Sequence, residues 1–111
     1  MMKIQLTKLT NNKKKYKAEF FDKKTKKKIK SISFGSSAMR DFTRINNPKS
    51  KFYIKEKAER EKVKQAYLDR HRARENWNNP MTAGALSRWL LWNKTTFNAS
   101  LNDFKKMSCY I

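Results

Sequence analysis

Lys15-Tyr16-Lys17-Ala18-Glu19-Phe20-Phe21-Asp22 alternates with a period of two, placing Tyr16, Ala18 and Phe20 on one side and Lys17 and Glu19 on the other. Alternation that uses aromatic residues reads as a half-buried strand. The pattern recurs on both sides. Residues 3–9 set Ile4 and Leu6 on one face, and residues 28–34 set Ile32 and Phe34 against Ser31 and Ser33. Asn11-Asn12 and Asp22-Lys23-Lys24-Thr25 supply turn chemistry between the three runs. Residues 3–35 therefore read as a three-stranded antiparallel β-meander with one apolar face and one wet, lysine-covered face. Some of those lysines also guard sheet edges against pairing with other chains.

Gly35 closes the third strand. Residues 36–54 read as an irregular linker with a short turn of helix around Ser37–Phe42, and Asn46-Asn47-Pro48 marks a loop, because a residue before proline avoids the helical region. Residues 55–76 form the longest helical candidate, rich in Lys, Glu and Ala. Opposite charges recur there at spacings of three and four, such as Glu56–Arg60 and Asp69–Arg72. Its apolar residues are sparse (Ala58, Val63, Ala66, Tyr67, Leu68), so it buries a thin stripe and turns its charge outward. Residues 80–107 read as a helical hairpin. Thr82 caps a helix from about Ala83 to Asn93, with Leu86, Trp89, Leu90 and Asn93 on one stripe. Thr95 or Thr96 caps a second, with Phe97, Leu101 and Phe104 at spacings of four and three. The fold class is α+β in a single domain, residues 1–111: the meander, one long charged helix and two short amphipathic helices.

The chain has 111 residues and 38% hydrophobic content, with only 2 Gly and 2 Pro, so the core is small but the chain is not a linker. An aromatic content of 13% is too rich for a disordered polycation. Lys and Arg number 28 against 9 Asp and Glu, a formal charge of +19. Such an excess repels itself unless an acidic surface or polyanion lies against it. The charge is uneven: residues 1–30 hold 12 lysines and 2 acids. One end is a polycation and the other is nearly neutral and apolar, which suggests an anion-binding part and a packing part.

The densest clusters are Lys13-Lys14-Lys15 and Lys23-Lys24 with Lys26-Lys27-Lys28, followed by Arg70, Arg72 and Arg74. These eleven residues are the candidate anion- and partner-binding set. On a helix, Arg70 and Arg74 would share a face and could grip an acidic strip by bidentate bonds. His71 is the only histidine, so a metal site lacks partners for it, and a hydrogen-bonding role is the plainer reading. Trp77, Trp89 and Trp92 are candidate docking or core aromatics. Asn93-Lys94-Thr95 and Asn98-Ala99-Ser100 match the glycosylation pattern. No nucleophile elbow or phosphate-cradling glycine loop is present, so neither catalysis nor a cofactor or small-molecule substrate is expected.

Cys109 is the only cysteine, which excludes an internal disulfide, and it lies one position too near the end for a prenylation box. Met1-Met2-Lys3-Ile4 opens no apolar run of signal-peptide length, and Trp89-Leu90-Leu91-Trp92 is far short of a membrane span. These features point to a chain made and kept in the cytosol, the nucleus or an assembly formed there.

Phe34-Gly35 with Asp41-Phe42-Thr43, then Asp69-Arg70-His71, Asn76-Trp77, and above all the run Pro80–Lys94 (P-M-T-A-G-A-L-S-R-W-L-L-W-N-K), carry a resemblance. The chain resembles a family of small basic proteins encoded by large nucleocytoplasmic DNA viruses of algae and amoebae. The resemblance covers about half the chain. It brings no catalytic residues and implies a viral setting and little more; joined to the uncompensated charge, that setting leads to the expectation of synthesis in the host cytoplasm or nucleus and residence in the virion. In that setting the expected role is a minor capsid-type structural protein bound to acidic surfaces of capsid proteins. Sequence-tolerant binding or condensation of viral DNA is the alternative, and an anionic inner-membrane surface is a third available partner.

Overall fold

In the computed structural model, which describes residues 2–108, the chain is an α+β fold. Three antiparallel strands, β1 (Met2–Lys8), β2 (Lys14–Asp22) and β3 (Lys28–Ser36), lie in the order β1-β2-β3. Helices α1 (Phe42–Ile45), α2 (Lys57–Arg72), α3 (Ala83–Leu86, continued by a π-helical turn Ser87–Leu91) and α4 (Phe97–Ser108) follow. Cys109 lies outside the described residues.

The turn residues account for the meander. Asn11 adopts a positive φ of 50°, which asparagine tolerates well, and the Asn12 Oδ1 accepts the Lys14 N–H at 2.9 Å. At the other end the Asp22 carboxylate accepts the Lys24 and Thr25 N–H groups at 2.8 and 3.0 Å. These bonds to the charged form hold its pKa below the usual carboxylate value. Pairing sets Ile4 against Phe20 and Tyr16 against Phe34, so the apolar sets of the three strands share one face. Ile4, Ala18, Phe20 and Phe34 are buried there. On the opposite face, Lys3, Gln5, Thr7, Ser31 and Ser33 are exposed.

Residues 36–54 are more ordered than a linker. The turn of helix spans Phe42–Ile45 rather than Ser37–Phe42, because Asp41 caps it: Asp41 Oδ1 accepts the Arg44 N–H at 3.0 Å. That cap turns Phe42 and Ile45, three residues apart, into the core, and the Ile54 N–H donates to the Ile45 carbonyl at 3.0 Å.

Helix α2 buries only Tyr67 and Leu68. The ion pairs expected along it give way to other bonds. Arg60 Nη1 donates to the carbonyls of Ile54 and Lys55 at 2.7 and 2.9 Å, and Asp69 accepts from Gln65. The helix ends at Arg72, short of residue 76. Beyond it the Arg74 and Glu75 N–H groups both donate to the His71 carbonyl at 3.1 Å, and the Glu75 carboxylate accepts Trp77 Nε1–H at 2.9 Å and lies 3.0 Å from His71 Nδ1.

Thr82 caps α3 through a 3.2 Å bond from the Ala85 N–H, and Thr96 caps α4 in the same way through Ala99. Between them the expected single helix to Asn93 widens. The Trp92 N–H donates to the Ser87 carbonyl five residues back, at 3.1 Å. The extra residue in this turn lets Leu90, Leu91 and Trp92 all enter the core, where a regular helix would bury a narrower stripe. The core joins these residues to Phe20, Phe34, Leu86 and Phe104. Asn93 fastens the link to α4, its Nδ2 donating to Asp103 at 2.7 Å and its carbonyl accepting Lys64 Nζ–H at 2.7 Å.

Candidate functional site

The candidate cations fall into three places. Lys13 and Lys14 sit at the β1–β2 turn and Lys23–Lys28 at the β2–β3 turn. These turns close opposite ends of β2, so the two lysine clusters stand about 30 Å apart at roughly 3.3 Å per residue. The third place is the end of α2. Arg70 and Arg72 are exposed on the helix, whereas Arg74 lies in the turn beyond it and no longer shares a helical face with Arg70.

Lys15 leaves the exposed set. Its Nζ lies 2.5 Å from Asp41 Oδ2, and the two side chains are 2% and 1% exposed. Asp41 reaches it because the α1 cap fixes the carboxylate, with Thr43 and Arg44 bonded to its other oxygen. Burial pulls the Lys15 pKa below the ordinary lysine value, against the opposing pull of Asp41. Lys15 is therefore a buried structural cation, closed to an outside partner. Lys28 is half engaged, with its Nζ 2.8 Å from Glu19 Oε2 across the sheet; Lys17 stands 3.8 Å from the same carboxylate.

The three tryptophans also divide. Trp92 is core, stacked on Tyr67 at 4.3 Å between ring centres. Trp77 and Trp89 are half-buried. Trp89 Nε1–H donates to the Trp77 carbonyl at 3.0 Å, and the Arg88 guanidinium lies over both rings. They knit the turn after α2 to the π-helical segment. Asn93 is buried with its side-chain nitrogen bonded to Asp103, so a glycan on it would need the link to open.

A groove of about 430 Å³ opens between the Lys14 end of the sheet, the loop after β3, α2 and the π-helical segment. Lys14, Arg40 and Arg70 stand on its rim, all exposed and without an acidic partner among the described residues. Sequence reading missed Arg40, an isolated arginine whose only signal was its place just before the Asp41 cap. Two glycines let the groove's walls close. Gly35, at φ +76°, has Leu91 so near that an added Cβ would lie 2.7 Å from its Cδ1, and a Cβ on Gly84 would lie 2.5 Å from Glu75 Oε2. Among the described residues no group of three or more His, Cys, Asp or Glu stands together as a metal site, and no helix is long and apolar enough to cross a membrane.

Residues 4–55, slightly under half of the chain, match the profile of a family described as a family of unknown function, DUF5754. The match covers the sheet from Ile4 onward, both partners of the Lys15–Asp41 pair and α1. The Pro80–Lys94 run lies outside it. No curated protein and no solved structure matches the chain.

Proposed function

We propose that this chain is a non-catalytic structural component of a large DNA virus particle, seated against acidic faces of neighbouring capsid proteins. The viral setting rests on the resemblance carried by Pro80–Lys94 and the shorter runs before it. The binding role rests on one observation: cations at both ends of a rigid strand ladder, about 30 Å apart, with few carboxylates beside them. A folded body with charge at opposite ends suits a piece wedged between two neighbours. A duplex binder more often gathers its phosphate contacts on one surface.

One observation favours a second reading, sequence-tolerant DNA binding. The outer sheet face carries Lys3, Gln5, Thr7, Ser31 and Ser33, donors that suit phosphate oxygens.

Fractionation of opened particles separates the two. The structural reading expects the protein to stay with nuclease-treated, DNA-free capsids, including after detergent removes any internal membrane. Departure with the genome would overturn it in favour of the second, and departure with the lipid would point to the membrane surface.

A further inference from the structure

We propose that the groove between the sheet end, α2 and the π-helical segment receives an extended peptide segment of a partner protein, rich in Asp and Glu and carrying an apolar side chain. This inference rests on the proposed binding of acidic protein surfaces and names the place and the kind of segment.

Two features favour a peptide of this chemistry. Lys14, Arg40 and Arg70 come from three different elements, the sheet, the loop after β3 and α2, and line one groove with no carboxylate paired to any of them; Glu75, which also lines it, is engaged by Trp77 Nε1–H and His71 Nδ1. Unpaired cations around a cleft with low-dielectric walls focus the field that attracts carboxylates. Beside them Met39 is 62% exposed, the largest exposure among the large apolar residues described. An exposed, flexible thioether at a cationic rim is an adaptable surface for an apolar partner side chain.

The aromatic geometry argues against a nucleotide in the same place. Tyr67, which lines the groove, stacks on Trp92 and meets the His71 ring at a 30° tilt, each at 4.3 Å between ring centres. Tyr67 and Trp92 are each under one-tenth exposed. No open face remains on this pair for a base to stack on, the contact that dominates single-strand recognition. The π-helical turn adds a second sign of use. Such turns recur at functional sites, and this one sets Leu91 and Trp92 in the groove wall.

The test uses the full chain and a fluorescein-labelled decapeptide of alternating Glu and Leu. The comparisons are a decapeptide in which Ser replaces Leu and a duplex of matched charge. Arg40→Glu/Arg70→Glu is compared with Lys24→Glu/Lys27→Glu at the far end of the sheet, which changes net charge equally. Arg40→Gln/Arg70→Gln serves as a milder second variant, and circular dichroism checks that each folds. The groove reversal should weaken the Glu/Leu peptide about tenfold or more and the far-end reversal less than about threefold, with the Ser peptide weaker than the Leu peptide. Equal losses from both reversals, with the wild type still binding, would overturn the groove alone. Binding of neither peptide by the wild type would overturn the acidic-partner reading as well. Stronger binding of the duplex than of either peptide would put nucleic acid in place of the peptide.

Discussion

Lys15 and Asp41 form a buried ion pair, Nζ to Oδ2 2.5 Å, that ties the start of β2 to the cap of α1. Twenty-six residues separate them, so the pair is a tertiary clamp and not a local turn contact. A buried pair contributes little net stability against an apolar replacement, but removing one partner strands a charge out of water.

The two partners should therefore respond unequally. Asp41→Ala leaves the Lys15 ammonium alone and removes the α1 cap, and we expect a loss of about 3–5 kcal/mol in urea unfolding. Lys15→Met leaves Asp41 with its bonds from Thr43 and the Arg44 N–H, so it should cost less. The double variant should be more stable than the sum of the two losses implies. A loss under about 1 kcal/mol from Asp41→Ala would contradict the clamp.

Gly35 and Gly84 should differ when each is changed to alanine. At Gly35 the positive φ and the 2.7 Å approach to Leu91 Cδ1 act together, and we expect a loss of about 2–4 kcal/mol. Gly84 lies in α3 with no positive φ, so alanine gains about 1 kcal/mol of helix propensity. Its cost is a displaced Glu75 carboxylate, which Glu75→Ser should relieve. Thermal melts of the two single variants and of the Gly84→Ala/Glu75→Ser pair check this.

Alkaline pH should weaken the fold through tyrosine. Burial raises the pKa of Tyr67, with Glu75 adding to it, and burial also raises that of Tyr16, which stacks on Phe97 at 4.3 Å. Above the ordinary tyrosine value of about 10, the unfolded chain releases protons that the folded chain retains. This stabilising contribution is complete below that value and declines as pH rises beyond it. Ultraviolet titration of the folded protein should show late phenolate formation for these two, and Tyr67→Phe should flatten the alkaline loss. Ionisation of both at the ordinary pH would contradict their burial.

The meander was legible because every local signal agreed. Tyr16, Ala18 and Phe20 alternated, Asn11 and Asp22 supplied the turns, and the strands formed within one or two residues of their expected limits. The Thr82 cap was legible for the same reason, and the second cap was legible as Thr95 or Thr96, of which the fold uses Thr96. Tertiary contacts hid the rest. Lys15 sits in a lysine run, and only the approach of Asp41 from 26 residues away buries it. The Asp41 cap had a signal, an Asp directly before Phe42 and Ile45 spaced three apart, which the linker reading passed over. The π-helical turn has no period that marks it, because it arises where Leu90, Leu91 and Trp92 all find space in the core. For the candidate site, the lysine clusters were visible in sequence, but their separation to opposite ends of β2 and the convergence of Arg40 with Lys14 and Arg70 required the fold.

The most direct test replaces Lys13, Lys14, Lys23, Lys24, Lys26 and Lys27 together with glutamine and measures re-association with DNA-free particles across a salt series. We expect the variant to fold as the parent does, lose at least about tenfold in retention, and show a shallower salt dependence. Retention equal to the parent's at every salt concentration would mean that these turn lysines do not hold the protein to its partner.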